Sequence, residues 1–300
     1  MRISVPNQRI RLKQNNEISA LLQLIDDPDE EVYSTVSERL ISLGRDVIPN
    51  LEELWENTPH EGIQERIESI IHKLHYRDLT QDLMNWKLQP NSLMEGALIV
   101  ARFHFPDLQI HSLKQEIEKI RRNIWIELHP YLTPLEQAHV FNSILYNYYK
   151  QKGTDLNYEI PGEFLLNFVL ESRKGNAVGN GILYLILAEL LDIPVKAVQI
   201  PRQFLLAYID EQHHLRHPES KAAEPIKFYI DPLNGQIYSA RDVENYYQRL
   251  GSPPQDRHFQ PRSTIQVIER LLKELALCYS DEANLYKKEE LLDLAQLLNE

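Results

Sequence analysis

A single cysteine, ten glycines and the lack of any long apolar run bound what this 300-residue chain can be. The lone Cys278 excludes an internal disulfide and points to a reducing compartment, the cytoplasm. No window reaches ~18 apolar residues, so no membrane-spanning helix is expected. The opening Met1-Arg2-Ile3-Ser4-Val5-Pro6 lacks the apolar stretch of a signal peptide. Basic residues are outnumbered, 32 Lys and Arg against 44 Asp and Glu, for a net charge of −12 at pH 7. Basic runs never exceed doublets such as Arg121-Arg122 and Arg173-Lys174, which read as solvated faces, the second also flanking the cleft described below. Such a chain repels phosphates instead of releasing their counterions, so neither nucleic acid nor an anionic membrane is an expected partner. Few glycines and no low-complexity tract argue against long linkers.

What is present is ordinary for a globular protein: 43% hydrophobic and 25% charged residues, in a chain long enough for two cores. Residues 15–88 read as short stacked helices. Ile18, Leu21, Leu22 and Ile25 recur at helical spacing. The acidic run Asp26-Asp27-Pro28-Asp29-Glu30-Glu31 suits a helix N-terminus, where backbone N–H groups favour negative charge. Val32, Val36 and Leu40 then share a face, which Gly44 ends, and Pro49 sits in the first turn of a segment carrying Leu51, Leu54 and Trp55. A further helical unit is expected over 61–75. This order resembles a HEAT repeat, whose helix pairs bury their cores against neighbours. We expect a HEAT-like region over 1–90.

Further helices are expected from Leu93 to Phe103, from Leu113 to Leu128, and from Pro134 onward through Val140, Ile144, Leu145 and Tyr148. Another opens at Pro161. Val178 to Leu191 is apolar on most sides and reads as a buried helix. The period then changes to two. Val195–Ile200, Phe204–Ile209 and Ile226–Ile230 are rich in β-branched and aromatic residues and read as strands, and Asn234-Gly235 as the turn to a short fourth, Gln236–Tyr238. Helices over Ile265–Tyr279 and Ala283–Leu298 close the chain. The expected class is α+β, mostly helical, with a small antiparallel sheet.

Spaced motifs carry more information than this pattern. Arg173-Lys174-Gly175-Asn176, an apolar helix, Asp192-Ile193-Pro194-Val195, a strand, Pro201-x-x-Phe204-Leu205, a strand, and Phe228-x-x-Asp231-Pro232-x-x-Gly235 follow one another in order. This resembles the bacterial transglutaminase-like family of the SirB type, over about residues 91–300. The resemblance implies a papain-like triad. A cysteine at a helix N-terminus has its thiolate stabilised by the dipole, a strand histidine takes the proton, and an aspartate orients the imidazole. Carried onto this chain, the three roles fall on Ala177, Gln203 and Asp231. Alanine offers no nucleophile, and the glutamine amide does not titrate near neutral pH. Gly179 stands where some relatives have serine. Asn176, Gly179, Asn180 and Arg202 are the cleft candidates. Asp231 also reads as a turn residue before Pro232, and Gln203 as its hydrogen-bond partner.

Triad members act as a unit, so losing nucleophile and base together removes most of the rate enhancement. The expected function is therefore non-catalytic binding of a protein or peptide. The alternative is a hydrolase or transferase using a remodelled cleft around Asp231. No cofactor and no metal are expected. His213-His214-x-x-His217 reads as a polar loop, and Cys278 as a small buried hydrophobe.

Overall fold

A computed structural model describes residues 17–89, 92–210, 225–251, 253 and 255–299. His213, His214 and His217 lie outside the described residues. The chain divides into two compact units, with the boundary between Gln81 and Asp82.

The first unit is helical. A short helix over 17–22 (α1) precedes α2 (Glu30–Leu43), α3 (Ile48–Asn57) and α4 (Glu61–Leu88), whose residues from Asp82 onward belong to the second unit. The acidic run does the capping expected of it. Asp29 is the N-cap of α2 and accepts the Glu31 N–H at 2.9 Å. Arg66 closes the turn by donating to the carbonyls of Ile25 and Asp27 at 3.0 and 2.7 Å, with its guanidinium 4.4 Å from the Tyr33 ring centroid. Gly44 caps the far end of α2 at φ +84°, a left-handed conformation that glycine reaches without steric penalty. Ile25, Leu40, Leu51, Ile67 and Ile70 are completely buried in one core. The helix expected over 61–75 runs on to Leu88. Nothing between Ile63 and Gln89 breaks it, the next proline being Pro90.

The second unit holds α5 (Leu93–His104), α6 (Ile110–Glu127), α7 (Pro134–Asn142), α8 (Leu166–Ser172) and α9 (Ala177–Glu189). Two-residue strands β1 (Lys152–Gly153) and β2 (Lys174–Gly175) pair in parallel. A four-stranded antiparallel sheet follows in the order β3 (Val195–Ile200), β4 (Gln203–Ile209), β5 (Ile226–Ile230), β6 (Ile237–Tyr238). Then come α10 (Ala240–Leu250), α11 (Asp256–Phe259), α12 (Thr264–Ala276) and α13 (Leu285–Asn299). The α+β class expected from the sequence holds.

Three expectations are corrected. The helix from Pro134 does not run on as one α-helix but passes into a π-helical stretch, Ser143–Tyr148. Ala138 and Phe141 of α7 and Leu145 of the π stretch are buried, and Tyr148 at its end is 67% exposed. Cys278 is half-buried, beyond the end of α12 at Ala276. Arg173 sits in the left-handed region at φ +58°, paired with Glu116 and stacked 5.1 Å from the Tyr149 ring, so it is a bound residue and not a free cation.

The sheet sets the geometry of the site. Strand alternation puts Phe204, Leu206 and Tyr208 on one face and Gln203, Leu205, Ala207 and Ile209 on the other. The first face receives α9. Gly181 of that helix lies so close to Phe204 that a Cβ there would come within 2.4 Å of the ring. The second face packs with Val243 and Tyr247 of α10 in a separate hydrophobic cluster.

Candidate functional site

The buried helix α9 begins where the resemblance implies a nucleophile. Asn176 is its N-cap, and the Asn176 Oδ1 accepts the N–H groups of Val178 and Gly179, both at 3.0 Å. That contact satisfies two of the orphan donors of a helix start. Asn176 and Asn180 are completely buried. The Asn180 side chain accepts from Gln151 Nε2 at 2.9 Å and donates to the Lys152 carbonyl at 3.2 Å. Gly179 lies against the Glu163 carbonyl oxygen, which would be 2.2 Å from an added Cβ. These three cleft candidates are all buried at the helix start: Asn176 Oδ1 caps the helix while its Nδ2 is enclosed without a partner among the described residues, Asn180 bonds Gln151 and the Lys152 carbonyl, and Gly179 packs on the Glu163 backbone. Ala177 itself is half-buried.

Gln203 and Asp231 are brought together elsewhere. Both line a cavity of about 600 Å³ on the α10 face of the sheet, and Ala177 does not line it. The helix that starts at Ala177 covers the opposite face. The cavity's floor is apolar, from Ile200, Leu205, Leu233 and Val243. Its polar wall comes from α10, where Asp242, Asn245, Tyr246 and Arg249 repeat at helical spacing along one face. Arg202 occupies the two-residue loop between β3 and β4 at φ +61° and is exposed, outside the cavity.

Asp231 is held by its own turn. Its Oδ1 accepts the Leu233 N–H at 2.9 Å, and its carbonyl accepts the Gly235 N–H at 2.8 Å. Gln203 is not its hydrogen-bond partner among the described residues. The loop is pinned from behind by α7 and the π turn. Asn142 Nδ2 donates to the Gly235 carbonyl at 2.6 Å and Tyr146 Oη to the Pro232 carbonyl at 2.9 Å. Gly235 adopts φ +75° with Asn142 where a Cβ would be, so this turn requires glycine.

Burial raises the Asp231 carboxyl above its usual range, and the Leu233 N–H opposes that rise. Across the cavity, burial and then the Asp231 and Asp242 charges push the Tyr238 phenol up. Asp242 moves the other way, because the Ser239 hydroxyl and N–H stabilise its carboxylate in a capping box. Helix α10, which supplies most of this wall, is absent from the sequence reading. Its signals were Ser239-x-x-Asp242, the spacing of Val243, Tyr246, Tyr247 and Leu250, and Gly251 at the end. Cys278 is remote from the site in sequence, and burial, with the Glu274 charge, pushes its thiol up to about 12, the reverse of an activated nucleophile. No group of His, Cys, Asp and Glu able to hold a metal occurs among the described residues, and no helix there is long and apolar enough to cross a membrane.

Comparison with known proteins bears on the family. The chain is 24% identical over 222 residues to a UPF0162 protein of Buchnera aphidicola, covering 72% of this chain and 76% of that one. Against a UPF0162 protein of Xylella fastidiosa it is 27% identical over 209 residues, 63% of this chain and 65% of the other. F-box only protein 21 of Mus musculus is 26% identical over 167 residues, which are 47% of this chain and 26% of the mouse protein. The chain thus spans about two thirds to three quarters of these two bacterial relatives and about a quarter of the mouse one. No solved structure matches. A family model described as the transglutaminase-like superfamily matches residues 111–273, from the second residue of α6 through the buried helix and the whole sheet into α12. That match takes in more than half of the chain and both halves of the carried-over constellation, and the protein belongs to the transglutaminase-like superfamily.

Proposed function

We propose that the protein is a non-catalytic member of its superfamily that binds a protein or peptide segment in the cavity beside Asp231. The observation that carries this reading is the chemistry at the three implied triad positions. Ala177 supplies no nucleophile and Gln203 supplies no base, and Ala177 does not line the cavity that Gln203 and Asp231 share. What remains is a cavity of about 600 Å³ with an apolar floor and a polar helical wall, within the ~300–1,000 Å³ range of binding pockets. The helices of the first unit, whose order resembles a HEAT repeat, are proposed to add a partner surface.

The test compares wild-type protein with the Ala177→Cys/Gln203→His double variant on glutaminyl and other amide substrates. Neither is expected to turn over. Robust amide hydrolysis or transfer by the wild-type chain would overturn the reading.

A second reading rests on Asp231 itself, a half-buried carboxyl with a raised pKa facing the Tyr238 phenol across the cavity. It makes the protein a hydrolase or transferase with a remodelled cleft. Any activity that survives Asp231→Ala unchanged rejects it.

A further inference from the structure

A second cavity, of about 310 Å³, lies between the edge strand β3 and helix α12, away from Asp231. Three cationic side chains line it, Arg262, Arg270 and Lys273, against two carboxylates, Glu269 and Glu274. Both carboxylates are already engaged. Glu269 pairs with Lys273 and accepts Asn299 Nδ2 at 3.0 Å. Glu274 pairs with Arg270 at 3.5 Å and accepts the Tyr158 hydroxyl at 2.9 Å. Arg262 lies within reach of the Glu269 charge but forms no ion pair with it, because that carboxylate is bonded to Lys273 and Asn299. Its backbone N–H is fixed to the Ala197 carbonyl at 2.9 Å, which ties this residue to the edge of β3. Its Nε is enclosed with no hydrogen-bond partner, and its side chain makes no ion pair among the described residues. A guanidinium nitrogen shut away from water without an acceptor is a costly arrangement that a bound anion relieves. Arg270 forms a rigid wall, with its guanidinium 4.9 Å from the Phe204 ring centroid. Burial lowers its pKa, the paired Glu274 opposes that, and the nearby Arg262 charge adds to the lowering, so two cations face this space with Glu274 compensating one of them.

We propose that this cavity is a phosphate site for a small phosphorylated molecule, with Arg262 as the open fork and Arg270 and Lys273 as flanking charge. The volume sits at the lower end of the ~300–1,000 Å³ range for small-molecule pockets, which suits a single phosphate group on a short stem. The planar guanidinium fork matches phosphate oxygens in pairs.

The experiment is thermal unfolding of the full chain with inorganic phosphate and with glycerol phosphate, against sodium chloride at equal ionic strength. At a tenfold excess over the dissociation constant, the midpoint is expected to rise by about 2–4 °C. The rise should vanish in Arg262→Gln with the near-UV circular dichroism unchanged. Equal shifts from both probes assign the site to free phosphate, and a larger one from glycerol phosphate to its esters. Lys273→Gln, on a more exposed side chain, is the second variant should Arg262→Gln fail to fold, and should weaken binding several-fold. A shift that chloride reproduces, or one that both variants leave undiminished, would overturn the site.

Discussion

The start of α9 and the cavity beneath α10 hold the two halves of one implied constellation, and they are packed in opposite ways. At α9 every polar side chain is turned inward: Asn176 caps the helix, Asn180 bridges Gln151 and the Lys152 carbonyl, and Gly179 touches the Glu163 backbone. At α10 the polar side chains of Asn245 and Arg249 line open space beside Asp231 and Gln203, and Tyr246 lines it too with its hydroxyl donating to the Pro201 carbonyl at 2.9 Å. Positions around a helix N-terminus become structure when they are buried and most of their hydrogen bonds go to neighbouring groups, although here Asn176 Nδ2 and Gln151 Oε1 are enclosed without a partner among the described residues. They remain available to a ligand when their polar groups face open space. On the proposed reading a ligand is taken up beside Asp231, and the helix start serves as a frame.

Breaking the packed half should have the largest effects. Gly179→Ser puts a Cβ against the Glu163 carbonyl oxygen, a backbone atom that cannot swing aside, and should destabilise the protein by about 3 kcal/mol in denaturant titration. Serine accepted without loss would mean that the helix start is looser than its contacts imply. Asn180→Ala should lower stability by about 2 kcal/mol, because it removes the acceptor of the buried Gln151 amide and the donor to the Lys152 carbonyl. Both variants should leave any ligand affinity of the α10 cavity intact once folded.

The open half should respond more weakly in stability and more strongly in binding. Tyr146→Phe removes the hydrogen bond to the Pro232 carbonyl and should lower stability by about 1 kcal/mol. Because that bond pins the Asp231 turn, hydrogen exchange at Leu233 and Gly235 should quicken before any other site in the domain. The smallest effect concerns charge. Burial raises the folded-state pKa of Asp231 above its unfolded value of ~3.9, so ionisation opposes folding. The stability this carboxyl contributes is fully present below the unfolded pKa and is lost as pH rises through the raised folded value. Asp231→Asn keeps the acceptor for the Leu233 N–H and has no charge to lose. Urea midpoints should therefore match or exceed those of the wild type at pH 7, and the two proteins should converge near pH 3.5. A wild type more stable at pH 7 would show instead that the Asp231 carboxylate has a favourable partner.

Much of this architecture follows from local sequence. Apolar spacing marks α2, α3 and α9, the alternation over 195–230 marks three strands, and Asp29, Gly44, Thr133 and Gly235 mark caps and turns at their observed positions, because capping and turn chemistry act within four residues. The ordered motifs from Arg173 to Gly235 mark the superfamily, and the amino acids at 177 and 203 state by their chemistry what they lack. Other features had no local signature. The π turn at Ser143–Tyr148 is one, since neither glycine nor proline marks it, whereas the extension of α4 to Leu88 was legible in the lack of any breaker before Pro90. The burial of Asn176 and Asn180 is another, since an asparagine looks the same in sequence whether it lines a cleft or seals a wall. That Gln203 faces α10 while α9 covers the other side of the sheet is set by strand parity together with the choice of face each helix packs on. The first is written in the sequence and the second is decided only by the folded core, where burying Phe204 against Gly181 leaves one arrangement that packs.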